Sequence, residues 1–414
     1  MAPFSPFAIS LPGQILFGRG EAAKAAAFLA TLGPRGVLVH GASPARAAWL
    51  VQDLHAAGIG LVTLACPEEP SLASLNAAVA TARAAGVDWV VGLGGGAALD
   101  LAKALAALVP APGGVMDHLE VVGKGLPLAA APLPFVAIPT TAGTGAEATK
   151  NAVISVPDQM QPGPGHPQPG ANQPAQPGLG HSHPAPPQPG RKVSLRDPRM
   201  LARLAIIDPA LTDHCPRAVT LASGLDALAQ VIEPYVSNRA TPFTDALTAP
   251  VIGPGLVALA RLMQAEDPAA RDRMAWVSLS GGLALANGGL GAVHGLAGPL
   301  GGVTGAAHGA ICGALLGPVL AANAAAAEPG SRAAIRLAQV FEMIAAALGG
   351  APEDAPETLA NWARAAGLPG LTALGLRADQ RAAVAASALG SSSMKGNPVP
   401  LSVAALQAIM AAAG

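Results

Sequence analysis

Two periodicities divide the chain. Through the first half, short apolar runs alternate with stretches whose apolar residues recur every three or four positions, and beyond Asp208 only the helical spacing remains. The runs ILFG (Ile15–Gly18), GVLVHG (Gly36–Gly41), GLVTLAC (Gly60–Cys66) and VDWVVGLGG (Val87–Gly95) predict strands, as do the apolar residues from Phe135 and the segment Leu204–Ile207. Helices are predicted between the first four of these, at Gly20–Gly33, Pro44–Ala57 and Ser71–Ala85. Strands that are apolar throughout, separated by amphipathic helices, imply a parallel sheet covered on both faces. The pattern therefore predicts an α/β domain over residues 1–208 and an all-α domain over residues 209–414.

Parallel sheets of this kind take ligands at the carboxyl ends of their strands. Two glycine-rich loops fall there. GLGGGAALDLAKALA (Gly92–Ala106) sets Gly94, Gly95 and Gly96 between a strand and a helix, with Asp100 and Lys103 following on the helix. Backbone N–H groups and the helix dipole at such a turn can hold a phosphate. FVAIPTTAGTGAEATKNAVIS (Phe135–Ser155) repeats the logic with Thr140, Thr141 and Thr144, whose hydroxyls can donate to an anionic or ribose-bearing ligand. Either loop alone also fits a tightly packed turn; two in one sheet reinforce each other.

Residues 159–190 break the pattern with a proline-, glycine- and glutamine-rich tract that has too few large apolar side chains to bury a core. It is expected to be a disordered or extended insertion, and its histidines, His166, His181 and His183, are excluded from the candidate site. The formal net charge of -1 over 414 residues leaves no electrostatic footprint for nucleic acid or an anionic membrane, so the expected partner is a small molecule. Three cysteines without a CxxC pair fit a reducing, cytoplasmic setting. Pro3, Pro6 and Pro12 interrupt the apolar residues that a secretory leader would need. Mean hydropathy is +0.44, and nothing from Met274 through Ala327 carries a formal charge. Glycine density, Asn287, Pro299 and two histidines in that stretch nonetheless predict a buried core, not a membrane span.

Those two histidines, His294 and His308, lie in GAVHGLAGPLGGVTGAAHG (Gly291–Gly309). A buried imidazole needs a partner, which is either a hydrogen-bonding group or a metal. Taken by themselves, the two fit core histidines bonded to carbonyls better than they fit ligands. In TLASGLDALAQVIEPYVS (Thr220–Ser237), Asp226 and Gln230 stand four apart on one face of a predicted helix. Asp226 is either a helix-start acid following Ser223 or the carboxylate of a two-histidine, one-carboxylate set suited to Fe(II) or Zn.

GGGAALDLAK, IPTTAGTGAEAT, DPALTDHCPRAVTLASGLDALAQVIEPYVS, GAVHGLAGPLGGVTGAAHG and GNPVPLS, in this order, resemble the iron-containing, or group III, alcohol dehydrogenases. The resemblance spans nearly the whole chain outside the proline-rich tract. It implies an N-terminal dinucleotide-binding domain with a parallel sheet, an all-α C-terminal domain in the dehydroquinate synthase-like arrangement, and a catalytic metal between them. Carried over residue by residue, Gly94, Gly95, Gly96 and Asp100 hold the pyrophosphate and its loop, while Thr140, Thr141 and Thr144 line the nicotinamide nucleotide. Asp226, His294 and His308 match three metal ligands, and Gln230 stands where the fourth is normally a histidine.

Other departures follow from the same comparison. Gly298 replaces a histidine often found near the nicotinamide, and Ala97 and Ala146 replace serines of the two loops. Gly41 stands where an acid often holds the ribose 2′-hydroxyl, so with Arg46 nearby both NAD and NADP are candidates. The resemblance implies a metal-assisted NAD(P)-dependent alcohol dehydrogenase or carbonyl reductase, with Fe2+ or Zn2+ and at least a homodimer. The alternatives are a metal-free NAD(P)H-dependent oxo-acid reductase of the same fold and a non-catalytic nucleotide-binding protein.

Overall fold

The computed structural model describes residues 6–157 and 190–414. The strands are β1 (Ile15–Phe17), β2 (Arg35–His40), β3 (Gly60–Ala65), β4 (Trp89–Gly94), β5 (Phe135–Pro139), β6 (Asn151–Pro157), β7 (Gly190–Arg196) and β8 (Leu204–Ile207). The first half also carries helices α1 (Ala25–Ala30), α2 (Ala48–Ala56), α3 (Leu72–Ala85), α4 (Gly96–Leu108) and α5 (Val115–His118). Nine more helices follow β8: α6 (Arg217–Val236), α7 (Pro242–Leu262), α8 (Pro268–Gly288), α9 (Ala292–Thr304), α10 (His308–Ala326), α11 (Arg332–Leu348), α12 (Ala355–Ala365), α13 (Arg381–Leu389) and α14 (Val403–Ala412). The chain is thus a parallel-sheet domain followed by an all-α domain.

Six strands pair in parallel in the order β1-β8-β5-β4-β2-β3. Alternation along each strand serves both faces. In β5, Phe135 and Ala137 join α3 and α4 on one side, while Val136 and Ile138 join α1 and α2 on the other. The order reverses between β2 and β4, so the crevice at their carboxyl ends is the switch point where open sheets of this class bind ligands.

Sequence and structure differ at the edges. The predicted helices at Gly20–Gly33 and Pro44–Ala57 each begin as a 3-10 turn, at Glu21–Lys24 and Pro44–Ala47. The predicted helix start at Ser71 is a cap whose hydroxyl accepts from the Ser74 N–H at 3.1 Å. The antiparallel pair β6–β7 was not foreseen; its strands flank the proline-rich tract, and Gly190, assigned to that tract, begins β7. The rest of the predicted insertion, including His166, His181 and His183, lies outside the described residues.

The all-α domain closes around α6, of which 15 residues from Thr220 to Val236 are buried. Leu225, Leu228 and Ile232 of α6 share one core cluster with side chains of α7, α9, α10 and α11. By length and composition α7 and α10 could each cross a membrane, and both contribute side chains to this same core. Helix α8 faces both domains: Val277 packs into the helical core, while Ala275, Leu279 and Leu283 pack into the α/β core.

Candidate active site

Helix α6 begins at Arg217, so Asp226 lies well inside it and is not a helix-start acid. Asp226, Gln230 and Glu233 occupy positions i, i+4 and i+7, one face of the helix, and are 1%, 2% and 4% exposed. Helix α9 delivers His294 in its first turn. The left-handed Gly305 ends α9 and lets the chain turn into α10, whose first residue is His308.

These pieces converge. Glu233 organises His294: its Oε1 accepts from the Val293 N–H at 2.7 Å, and its Oε2 lies 2.6 Å from His294 Nδ1. That contact fixes the ring and turns Nε2 toward Asp226 Oδ1, 3.2 Å away. His308 Nε2 lies 3.8 Å from the same oxygen, and the two imidazole centroids are 5.4 Å apart. Cys312, one turn along α10 from His308, brings its Sγ to 3.6 Å from His308 Nε2. One donor atom from each of Asp226, His294, His308 and Cys312 falls within 4.8 Å of all the others.

The electrostatics are those of a tight charge cluster. Burial resists charge on Asp226, yet the facing histidines hold its carboxyl below the usual range. Burial likewise opposes protonation of His308, but Cys312 and Asp226 outweigh it and raise the group to about 9. His294 is raised well above its ordinary value against the same burial, by Cys312, Glu233 and Asp226.

Partnering decides what this cluster is for. Both Asp226 carboxylate oxygens, His294 Nε2 and Gln230 Oε1 are buried with no hydrogen-bond partner. Unpaired buried acceptors each cost about 1–3 kcal/mol, and those of Asp226 and His294 fall within 4.8 Å of donor atoms of His308 and Cys312. A divalent cation satisfies such a donor set; core histidines bonded to carbonyls would not leave it. The residues present therefore fit a metal.

The glycine-rich loops meet beyond the carboxyl ends of β4 and β5, and Gly41, following β2, closes on the first of them. Gly94 ends β4, and a Cβ there would lie 2.7 Å from Ala98 Cβ and 3.2 Å from the Gly41 nitrogen. Gly95 caps α4, and Gly96 opens it with Thr144 so close that a Cβ would meet its Oγ1 and Cγ2 at 2.7 Å. Thr141 stands 3.4 Å from the corresponding position of Gly95, and the Thr140 N–H donates to Gly94 O at 2.9 Å. The sequence-predicted glycines and threonines are thus brought together.

Lys103 is used differently. It is fully buried, and its ammonium donates to Ala146 O, Thr149 Oγ1 and Asn151 O at 2.7, 2.9 and 2.8 Å, which uses its three hydrogens inside the protein. Asp100 accepts the Val153 N–H at 3.0 Å and sits 3.6 Å from Lys103. Both side chains hold the loop after β5 and the start of β6, and the Lys103 ammonium has no hydrogen left to donate to a nucleotide.

The two domains touch at this loop. A Cβ on Gly143 would meet Ser223 Cβ of α6 at 2.7 Å, and a Cβ on Gly282 of α8 would meet Gly145 O at 2.4 Å. Gly298 on α9 has nothing within 4 Å of its Cβ position, whereas a Cβ on Gly302 would meet Gly190 O of β7 at 2.5 Å.

Residues 12–168 match the family described as iron-containing alcohol dehydrogenase, and residues 220–414 match the Fe-containing alcohol dehydrogenase family, C-terminal. The chain belongs to the iron-containing alcohol dehydrogenase family. It is 34% identical over 252 residues to the probable alcohol dehydrogenase EutG of Escherichia coli (strain K12), a match covering 60% of this chain and 55% of that one. It is 37% identical over 234 residues to long-chain-alcohol dehydrogenase 1 of Geobacillus thermodenitrificans (strain NG80-2), covering 56% and 51%. The chain thus spans about half the length of the curated relatives it matches. Among solved structures, a 1,3-propanediol oxidoreductase superposes with a TM-score of 0.80 at 25% identity, covering 99% of this chain and 100% of that one.

Two residues of the cluster escaped the sequence reading. Cys312 was counted only as one of three scattered cysteines, although its spacing of four from His308 puts both on one helix face. Glu233 completes the i, i+4, i+7 face begun by Asp226 and Gln230, and that periodicity would have found it.

Proposed function

We propose that this protein is a metal-assisted, NAD(P)-dependent oxidoreductase that interconverts an alcohol with an aldehyde or ketone in the cleft between a domain of residues 1–208 and one of residues 209–414. The observation that carries the reading is the convergence of unpartnered Asp226 oxygens and His294 Nε2 beside His308. Asp226, His294 and His308 are the ligands, with Gln230 beside them. A divalent ion held there supplies a Lewis acid that polarises the substrate oxygen.

The remaining roles fall to the chain's own groups. Glu233 fixes the His294 ring so that Nε2 faces the cluster. Backbone N–H groups at Gly94, Gly95 and Gly96, at the start of α4, receive the pyrophosphate. Thr140, Thr141 and Thr144 line the nucleotide, and Gly41, with no carboxylate to bind a 2′-hydroxyl or repel a 2′-phosphate, admits NADP as well as NAD. Gly298 leaves open space on α9 and no side chain for a proton relay. The protein acts as a cytoplasmic homodimer on a small-molecule substrate, without nucleic-acid or membrane partners.

The test is metal content of protein purified without chelator, paired with NAD(P)H-linked alcohol and carbonyl turnover before and after chelation and metal add-back. About one ion per chain, required for turnover, is the expected result. Turnover that survives complete metal removal would move the assignment to the metal-free oxo-acid reductase. Nucleotide binding without any turnover would move it to a non-catalytic protein.

A further inference from the structure

We infer that Cys312, not Gln230, supplies the fourth protein donor of this centre, and that the centre consequently selects zinc over iron(II). The inference rests on the metal-assisted reading of the site.

Position comes first. Cys312 is fully buried on the α10 face that carries His308, and its Sγ lies within 4.8 Å of donor atoms of Asp226, His294 and His308. Its Sγ approaches His308 Nε2 at 3.6 Å, a weak interaction for a thiol. The unpartnered Asp226 oxygens and His294 Nε2 independently mark the same volume as one whose polar atoms a cation would satisfy. The other cysteines lie elsewhere: Cys66 donates to Glu68 O at 3.2 Å, and Cys215 stands just before α6, outside the donor cluster.

Chemistry then separates the two candidates for the fourth place. Gln230 offers a neutral amide oxygen, a donor type suited to hard cations. Cys312 offers a thiolate, which binds zinc strongly and completes a carboxylate, two-imidazole, thiolate set. The chain thus has an amide at the position expected to hold a histidine and a thiol at hand that can replace it.

The full-length protein loaded with cobalt(II) provides the test, because a thiolate ligand gives an intense near-ultraviolet charge-transfer band that imidazole, carboxylate and amide do not. The histidines of the proline-rich tract cannot produce it. The band is expected in wild type and in Gln230→Ala, and is expected to be lost in Cys312→Ser. Zinc affinity by chelator competition should fall in Cys312→Ser by at least the roughly 10–100-fold that loss of even an outer partner costs, and far less in Gln230→Ala. X-ray absorption of zinc-loaded wild type, which needs no variant to fold, should show one sulfur at about 2.3 Å. Cobalt bound in an Asp226-dependent way but without the band, or held through Gln230, would overturn this inference alone. A wild-type protein that binds neither cobalt nor zinc would overturn it together with the metal-assisted reading.

Discussion

Two of the groups of charged side chains buried among the described residues are satisfied in opposite ways. Around Lys103, Asp100 and Glu147, the ammonium gives its three hydrogens to the segment 146–151 and Asp100 accepts a backbone N–H. Around Asp226, His294, His308 and Cys312, the groups face one another at ion-pair distance, yet no hydrogen bond satisfies either Asp226 oxygen or His294 Nε2. Burial and charge are common to both, so neither property distinguishes a site from a strut. What distinguishes them is whether the protein itself completes the coordination of its polar atoms.

Asp226→Asn should have the largest effect on chemistry and almost none on the fold. Loss of several kcal/mol of charge stabilisation at the reacting oxygen corresponds to about a 10³-fold fall in kcat/KM at ~1.4 kcal/mol per decade. The urea midpoint of the metal-free protein should barely move. If the metal-free variant proves as destabilised as one of the Lys103 cluster, the contrast between the two clusters fails.

Lys103→Met should do the reverse. Removing one partner of a buried ionic network costs about 3–5 kcal/mol, read as a lowered free energy of unfolding, with metal stoichiometry retained in the folded fraction. Normal stability with weakened nucleotide binding would return Lys103 to the cofactor site.

Glu147 gives the smallest and most specific effect. Burial pushes its carboxyl from 4.5 to about 7, only partly countered by its own backbone N–H and by Lys103. The folded protein therefore keeps a proton that the unfolded chain releases. The associated stability is present below pH 4.5 and is lost as pH rises through about 7. Glu147→Gln should flatten this dependence by on the order of 2 kcal/mol between mildly acidic and mildly alkaline buffer. An unchanged pH profile of the melting temperature would show that water or a rotamer change already relieves the group.

Much of this was legible because strands buried on both faces write themselves as apolar runs. Leu204–Ile207 was located to the residue, and β2 and β4 to within a residue or two of most of their ends. His294 and His308 stood out because nothing near them in the sequence carries a formal charge. The β6–β7 pair was illegible for a physical reason: its half-buried strands pair across the proline-rich tract, and no local signal joins Asn151 to Arg196. The surroundings of Lys103 were illegible because a cation after a glycine-rich turn looks the same in sequence whether it faces a phosphate or three carbonyl and hydroxyl oxygens. Cys312 was missed because cysteines were weighed as pairs with one another and not as neighbours of a histidine one helical turn away.

The contact between Gly145 and Gly282 carries a consequence for how the two domains can evolve. At this point no rotatable side chain stands between them, so the gauge of the cleft is set by the thickness of two peptide backbones. Hydride transfer in the proposed reaction tolerates errors well below the width of a methyl group, and a spacer with no torsion angles cannot drift as neighbouring side chains change. Substitutions can accumulate along the cleft walls, altering what is admitted, while the distance between the two walls stays fixed.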